Sequence, residues 1–335
     1  MACLVAHSEG GRAARERARE WLADPEQPGA EADAARTALA EDVPRIESEI
    51  GVLGWRFMPA GEGGYPARLA TLSDAPLGLF MRGAWLAAKA VALVGSRRAS
   101  AYGREVAEYL GRELARAGVT VVSGMARGVD AAAHRGALAA GGPTAAVWGC
   151  GPDRVYPPEH ESLAEEIAAH GCLITEYPPG SPPRAHHFPE RNRIIAGLAD
   201  VVIVVEADER SGALITAGLA LEEGREVMAV PGSVFSRLSA GPNGLLRAGA
   251  APVLTADDVL AVLGVARQPA LTGTAEAPLL AAIPPGESAS IDHLAAATGQ
   301  PVAQVVQGLL ELELAGRVSR ETDGRYRRHR AAHEP

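Results

Sequence analysis

The chain has 335 residues, 32 basic against 41 acidic side chains for a formal charge of −9, and 47% hydrophobic residues. That length and apolar content support two or three domains with buried cores and exclude a disordered tail, while the negative balance excludes a protein that coats nucleic acid through overall basicity. Lys89 is the only lysine, so the positive charges are almost all guanidinium groups, the type suited to bidentate phosphate contacts and stacking on bases.

The opening MACLVAHSEGGRAARERARE lacks an apolar signal segment, and no run approaches the ~18 apolar residues that span a bilayer. A cytoplasmic protein without membrane contact is expected. Cys3, Cys150 and Cys172 are an odd set with no CxxC, which disfavours a disulfide scaffold and a zinc site; no metal or other cofactor is expected. Residues 1–50, rich in Ala, Arg and Glu, read as helix, and 52–83 mixes a short strand with Pro/Gly turns, so 1–87 is taken as a mostly helical N-terminal domain. From 88 to 264 the pattern changes. Apolar, β-branched runs at 90–94, 119–122, 143–148, 172–175, 201–205 and 226–230 alternate with helical periodicity at 104–117, 129–140, 159–170 and 213–223. This is the signature of an α/β core, a Rossmann-like, mainly parallel sheet with helices on both faces. A Gly/Pro/Thr-rich linker at 265–276 leads to 277–330, where three helices and a strand–turn–strand fit a winged-helix-like domain, with Ser290 placed as an N-cap. Its wing segment 317–330 holds six arginines against Glu321 and Asp323, so Arg325, Arg327 and Arg328 are possible wing contacts to nucleic acid; a solvated tail or a protein-contact module fits as well.

The core strands end in loops of unusual composition, on the side where open α/β sheets bind ligands. After the first comes GSRRASAYG, in which Gly95 permits a sharp turn, Ser96 offers a hydroxyl, and Arg97 and Arg98 place charge beside a helix N-terminus, a phosphate cradle. Neither GxGxxG nor GxxxxGK[ST] is present, which argues against a dinucleotide cofactor or a P-loop ATPase. The second loop, SGMARGVDAAAH, puts Ser123, Gly124, Arg127 and Gly128 on the same side; Asp130 and His134, four apart, read either as a proton relay or half a metal site, or more simply as a helix-start carboxylate and a capping histidine. The third, GCGPDRVYPPEH, reads mainly as a rigid turn at Tyr156-Pro157-Pro158. The fourth, TEYPPGSPPRAHHFPERNRIIAGLAD, gathers Arg184, His186, His187, Phe188, Arg191, Asn192 and Arg193 between prolines expected to hold the loop extended before a helix begins. Arginines beside an exposed aromatic suit single-stranded nucleic acid, because cations meet the backbone while the ring stacks on a base; a lid packed by Phe188 is the competing reading. After the fifth strand Arg210, Ser211 and Gly212 open a helix toward the crevice, and Glu206 either orients an arginine across it or has another role. After the sixth, Asn243 and Arg247 are read as candidate contacts for phosphate or a terminal base.

Six separated motifs in this order, GSRRASAYG, SGMARGVDAAAH, GCGPDRVYP, TEYPPGSPPRAHHFPERNRIIAGL, VVEADERSGALITAGLALEEGREVMAVPG and AGPNGLLRAGA, resemble the DNA-processing protein A family, also called DprA or Smf. The resemblance implies a mostly dimeric protein that binds single-stranded DNA entering during natural transformation and helps load the RecA recombinase, with no enzymatic step. It carries the DNA-binding role to Gly95, Ser96, Arg97, Ser123, Gly124, Arg127, Gly128, Phe188, Arg191, Asn192, Arg193, Ser211 and Gly212. The alternative is a nucleotide-binding or phosphoribohydrolase-like enzyme on the same core, whose PGGxGTxxE motif does not occur here; Glu176 and Glu206 are accounted for by pairing with arginines.

Overall fold

The computed structural model describes residues 46–61, 63–85, 88–266, 276–284, 287–314, 317–321 and 323–328. It divides into two compact units, one ending at Ala266 and one starting at Arg267. The helix expected over 1–50 lies outside the described residues except for a helical turn at 46–52, and most of the expected linker lies outside them as well.

The first unit is built on one nine-stranded sheet. In chain order its strands are β1 (Arg56–Pro59), β2 (Gly78–Gly83), β3 (Ala90–Val94), β4 (Thr120–Ser123), β5 (Thr144–Val147), β6 (Cys172–Thr175), β7 (Val201–Val204), β8 (Glu226–Ala229) and β9 (Ala251–Pro252). The sheet order is β1-β2-β6-β5-β4-β3-β7-β8-β9. The seven strands from β6 to β9 in that order pair in parallel, while β1 and β2 add an antiparallel edge. All six apolar runs of the sequence are strands of the parallel part, each within a residue or so of its expected bounds. Three further strands, β1, β2 and β9, were less legible: β1 and β9 are short and contain proline, and β2 sits among turns.

The helices are α1 (Ala101–Arg116), α2 (Val129–Ala139), α3 (Glu161–His170), α4 (His187–Leu198), α5 (Gly212–Glu222), α6 (Ala240–Arg247) and α7 (Ala256–Leu263). Alternation along β3 explains why its run is uniformly apolar. Ala90, Ala92 and Val94 face a core with Ile194, Leu198, Ala213 and Ala217 of α4 and α5, whereas Val91 and Leu93 face Leu110, Leu114, Val129 and Ala133 of α1 and α2. Both faces are covered, so no polar face is needed. Helices α1 and α2 approach closely because Gly111 and Gly136 sit at their contact; a Cβ on Gly136 would lie 2.1 Å from the Glu108 carbonyl oxygen.

The chain leaves β3 to build β4, β5 and β6 on one side, then returns to place β7 on the other. This reversal makes a topological switch point between β3 and β7, where their carboxyl-end loops diverge and leave a crevice. One expectation about the crevice region changes. The segment 184–193 is not an extended loop, because α4 begins at His187 and carries Phe188, Arg191, Asn192 and Arg193. Pro189 is tolerated there since the first helical turn needs no amide donors from its own residues.

The second unit contains α8 (Glu276–Ala281), α9 (Ile291–Thr298) and α10 (Val302–Leu314), with a three-stranded antiparallel sheet of β10 (Ser288–Ala289), β12 (Tyr326–Arg328) and β11 (Val318–Arg320). Leu279, Ile283, Leu294, Val305, Leu309 and Tyr326 form its own core, and Ser290 caps α9 by accepting from the His293 amide at 3.2 Å. It is a winged-helix unit.

Candidate nucleic-acid interface

The crevice at the switch point has a volume of about 600 Å³ and is lined from three sides. Gly95, Ser96 and Arg97 follow β3; Phe188, Arg191 and Asn192 come from α4; Asp208, Arg210, Ser211, Gly212 and Thr216 come from the loop and first turn of α5. Tyr156 closes the fourth side.

The loops that border it are tied together by backbone and carboxylate contacts. The Ser96 amide donates to the Glu206 carbonyl at 2.6 Å, joining the loops after β3 and β7. The Glu206 carboxylate accepts from the Ser100 amide at 2.8 Å and the Ser100 hydroxyl at 2.6 Å, and Ser100 Oγ in turn accepts from the Gly103 amide to cap α1. Gly103 has to be glycine, since a Cβ would sit 2.2 Å from Glu206 Oε2. Glu206 therefore pairs with Ser100 and the backbone rather than with an arginine. Across the crevice, Ser211 caps α5 by accepting from the Ala213 amide at 3.3 Å, which leaves a helix N-terminus with its partial positive charge directed at the opening.

The rim carries the free charge. Arg97 is exposed and its guanidinium carbon lies 4.8 Å from the centroid of the Phe188 ring, within cation–π range. The Tyr156 ring packs on Phe188 with centroids 5.4 Å apart. Phe188 is half-buried: the ring packs on Tyr156 and also lines the crevice. Arg210 is exposed on the opposite lip, and Arg98 is exposed beside Arg97.

Arg191 and Arg193 are not rim residues. Arg191 is 3% exposed; its Nη1 donates to the Gly124 carbonyl at 2.9 Å and to the Val147 carbonyl, holding the ends of β4 and β5. Burial pulls its pKa down to about 10, against the attraction of Asp130, and leaves it charged at neutral pH. Arg193 faces elsewhere, donating from Nε to Asp74 at 3.1 Å and from Nη2 to Glu176 at 2.5 Å. Burial disfavours its charge, but the pull of Glu176 and Asp74 outweighs this and raises its pKa. The expectation that Arg193 neutralises phosphate in the crevice is corrected on this geometry, while the pairing expected for Glu176 is what the structure contains.

The remaining expected site residues are dispersed. Ser123 is buried and donates to the Leu93 carbonyl at 2.6 Å. Gly124 presents its amide to Asp130 at 3.1 Å. Gly128, at φ +78°, starts α2 and lies so close to the 95–98 loop that a Cβ would be 2.2 Å from the Ser96 carbonyl oxygen. Arg127 pairs with Glu159 at 2.5 Å on the surface, and Arg184 is exposed. Asn243, expected to meet phosphate, instead exchanges two hydrogen bonds with the Gly232 backbone. In the winged unit Arg325 donates to the Ser288 carbonyl, Arg327 to Glu321 and Arg328 to the Leu280 carbonyl, so each of the three side chains is engaged within its own unit. Tyr156 and Asp208 are lining residues that the sequence did not single out; for Tyr156, read as part of a turn, the aromatic in YPP was the available signal.

Asp130 and His134 do not form a relay. Asp130 accepts from the Gly124 and Ala126 amides. His134 Nδ1 sits 2.7 Å from the Thr144 hydroxyl, whose proton goes to the Val121 carbonyl, so the imidazole is the donor to Thr144. Burial pushes His134 down to about 3 and keeps it neutral. Burial also raises Asp130 to about 6, only partly opposed by Arg191 and the two amides. An unfolded aspartate releases its proton near 3.8, so between about pH 4 and 6 the native state holds a proton that the unfolded state has lost. The unfolding free energy therefore falls as pH rises through that window. Asp130→Asn is expected to remove this slope; superimposable denaturation profiles for the two proteins from pH 4 to 7 would refute it. Among the described residues no group of three or more His, Cys, Asp or Glu is placed to hold a metal ion, and no helix is long and apolar enough to cross a membrane.

A doubly wound sheet whose switch-point crevice combines helix N-termini with an arginine over an aromatic ring, followed by a winged-helix unit, defines a Rossmann-like nucleic-acid-binding protein. Residues 56–264 match the family model for DNA recombination-mediator protein A, and 265–324 that of the DprA winged helix domain. The chain belongs to the DNA recombination-mediator protein A family. It is 40% identical over 298 residues to Protein Smf of Escherichia coli strain K12, covering 83% of this chain and 78% of that one. The crystal structure of DNA processing protein A from Streptococcus pneumoniae superposes with a TM-score of 0.62 at 36% identity, covering 74% of this chain and 85% of that one. A DNA processing protein A from Helicobacter pylori, whose structure concerns its single-stranded DNA binding mode, superposes with a TM-score of 0.57 at 30% identity over 62% of this chain and 95% of that one.

Proposed function

We propose that this protein grips a short run of single-stranded DNA in the switch-point crevice and delivers the strand to the RecA recombinase, acting as a recombination mediator without covalent chemistry. The observation that carries the reading is Arg97 lying over Phe188 at the mouth of a crevice flanked by the capped N-terminus of α5. In the free protein the guanidinium occupies the ring face that a base would take. A base stacking there displaces Arg97, which then follows the phosphate of the same nucleotide, so one exchange supplies both a stack and an ion pair. Duplex DNA keeps its bases paired and cannot make this exchange. The carboxylates lining the crevice are engaged, Asp130 by amides and Asp208 by Arg237 at 2.7 Å, which suits binding and leaves no paired acids for bond cleavage.

The same proposal includes the RecA partnership, a homodimer and action in the cytoplasm during transformation or recombination, with family membership as its support. The test is equilibrium binding of single-stranded and duplex oligonucleotides of equal length across a salt series. A clear preference for the single strand, lost in an Arg97→Ala, Phe188→Leu double variant, is expected. Equal affinity for both forms, or a preference untouched by the double variant, would overturn the reading.

A further inference from the structure

The four phenylalanines of the chain have different fates. Phe80 is fully buried, Phe57 packs on it with ring centroids 4.9 Å apart, and Phe188 meets Tyr156 and Arg97. Phe235 is 96% exposed, next to Val234 at 83%. An aromatic ring held wholly in water is unfavourable by about 25 cal/mol for each Å² of apolar surface left uncovered, so its setting calls for an account.

Phe235 is not on a slack loop. The segment after β8 is braced along its length: the Tyr102 hydroxyl donates to the Pro231 carbonyl at 3.0 Å, Asn243 bonds both backbone groups of Gly232, and the Ser236 amide donates to the Ser233 carbonyl at 3.0 Å. At its far end the Leu238 carbonyl accepts from the Ala207 amide at 2.7 Å, and Arg237 pairs with Asp208 at 2.7 Å. Asp208 lines the crevice. Phe235 thus stands two residues, at most ~7 Å of chain, from a residue bonded to the crevice wall. Two exposed cations flank that wall: Arg237, which pairs with Asp208 and has 87% of its side chain in solvent, and Arg210, two residues beyond Asp208.

A preorganised, exposed ring with guanidinium groups beside it is what a single strand requires, since each base has a π-face and each linkage a negative charge. We infer that Phe235 is a second stacking platform, which takes a base of the strand as it leaves the crevice past Asp208 and Arg237. The inference rests on the single-strand reading of the crevice and extends its track across the carboxyl end of β8. Val234 widens the apolar shelf, and Arg237 meets the intervening phosphate when it leaves Asp208.

The test compares binding of oligothymidylates of about 4 and about 16 nucleotides, lengths that fill the crevice alone or run beyond it. Because the Phe235 side chain contributes almost nothing to the core, Phe235→Ala is expected to keep the wild-type unfolding midpoint. Its affinity for the long strand should fall by about 5- to 100-fold, with the short strand unaffected and Phe235→Trp close to wild type. Equal long-strand affinity in wild type and Phe235→Ala would overturn the inference, as would an effect of Phe235→Ala on the mass of the protein in solution and on nothing else. If wild type bound neither length, the crevice reading itself would fail, an outcome distinct from the first.

Discussion

Replacing Arg193 by alanine is expected to lower the unfolding free energy by about 3–5 kcal/mol, the cost of leaving one member of a buried ion pair without the other. Arg193 bridges two carboxylates from different parts of the chain, Glu176 after β6 and Asp74 between β1 and β2, and the Glu176 side chain is 1% exposed. Alanine leaves Glu176 to hold its charge without a cation or to take up a proton, and it removes the ion pair that ties α4 to Asp74, leaving the apolar packing of α4 on Leu69 and Leu72. Arg193→Lys is expected to recover only part of the loss, because one ammonium cannot reproduce a fork that serves both acids. Urea denaturation at neutral pH measures the change. The same protein, under conditions where it is folded, should bind single strands with the wild-type salt slope. A stability loss below about 1 kcal/mol combined with a shallower slope would return Arg193 to the DNA interface.

The largest effect on binding is expected at Arg97 and Phe188, and the two should separate by kind. Arg97→Ala removes one phosphate contact, so the dependence of log affinity on log salt should flatten by about 0.7 for a single strand. Phe188→Leu keeps apolar packing against Tyr156 and Gly149 while deleting the π-face; affinity should fall by about 5- to 100-fold with the slope unchanged. Since the two side chains touch in the free protein, their effects are not expected to add. Removing Arg97 also uncovers the ring, which offsets part of the lost ion pair. Identical slopes for wild type and Arg97→Ala, measured by fluorescence anisotropy over a salt series, would remove Arg97 from the phosphate path.

The parallel strands and the helices between them were legible because burial on both faces demands uninterrupted apolar runs, and α/β alternation leaves few topologies. The loops carrying Gly95–Arg97 and Arg210–Gly212 were legible for a related reason: both follow core strands, and ligands in such sheets gather at those ends. The 184–193 segment shows where this reasoning stops. As a string it is a cluster of cations around one aromatic. As a helix from His187 it separates them, because residues two apart on a helix point to different sides. Arg191 turns to the carbonyls of Gly124 and Val147, Arg193 to Glu176 and Asp74, and Phe188 remains at the crevice with Asn192.

Charge illustrates the same division. A formal charge of −9 is a property of composition, and it correctly denies this chain an overall basic surface. The arginines were visible in the sequence, but not which of them would reach water. A guanidinium is drawn inside when carboxylates or strand-end carbonyls converge on it, and those partners lie 17 to 119 residues away along the chain. Sequence determined the family, the doubly wound core and the crevice side of the sheet, since these rest on local periodicity and ordered motifs. Tertiary structure alone decided that Arg191 and Arg193 hold the scaffold while Arg97 and Arg210 face solvent, because burial and pairing are fixed only when distant segments meet.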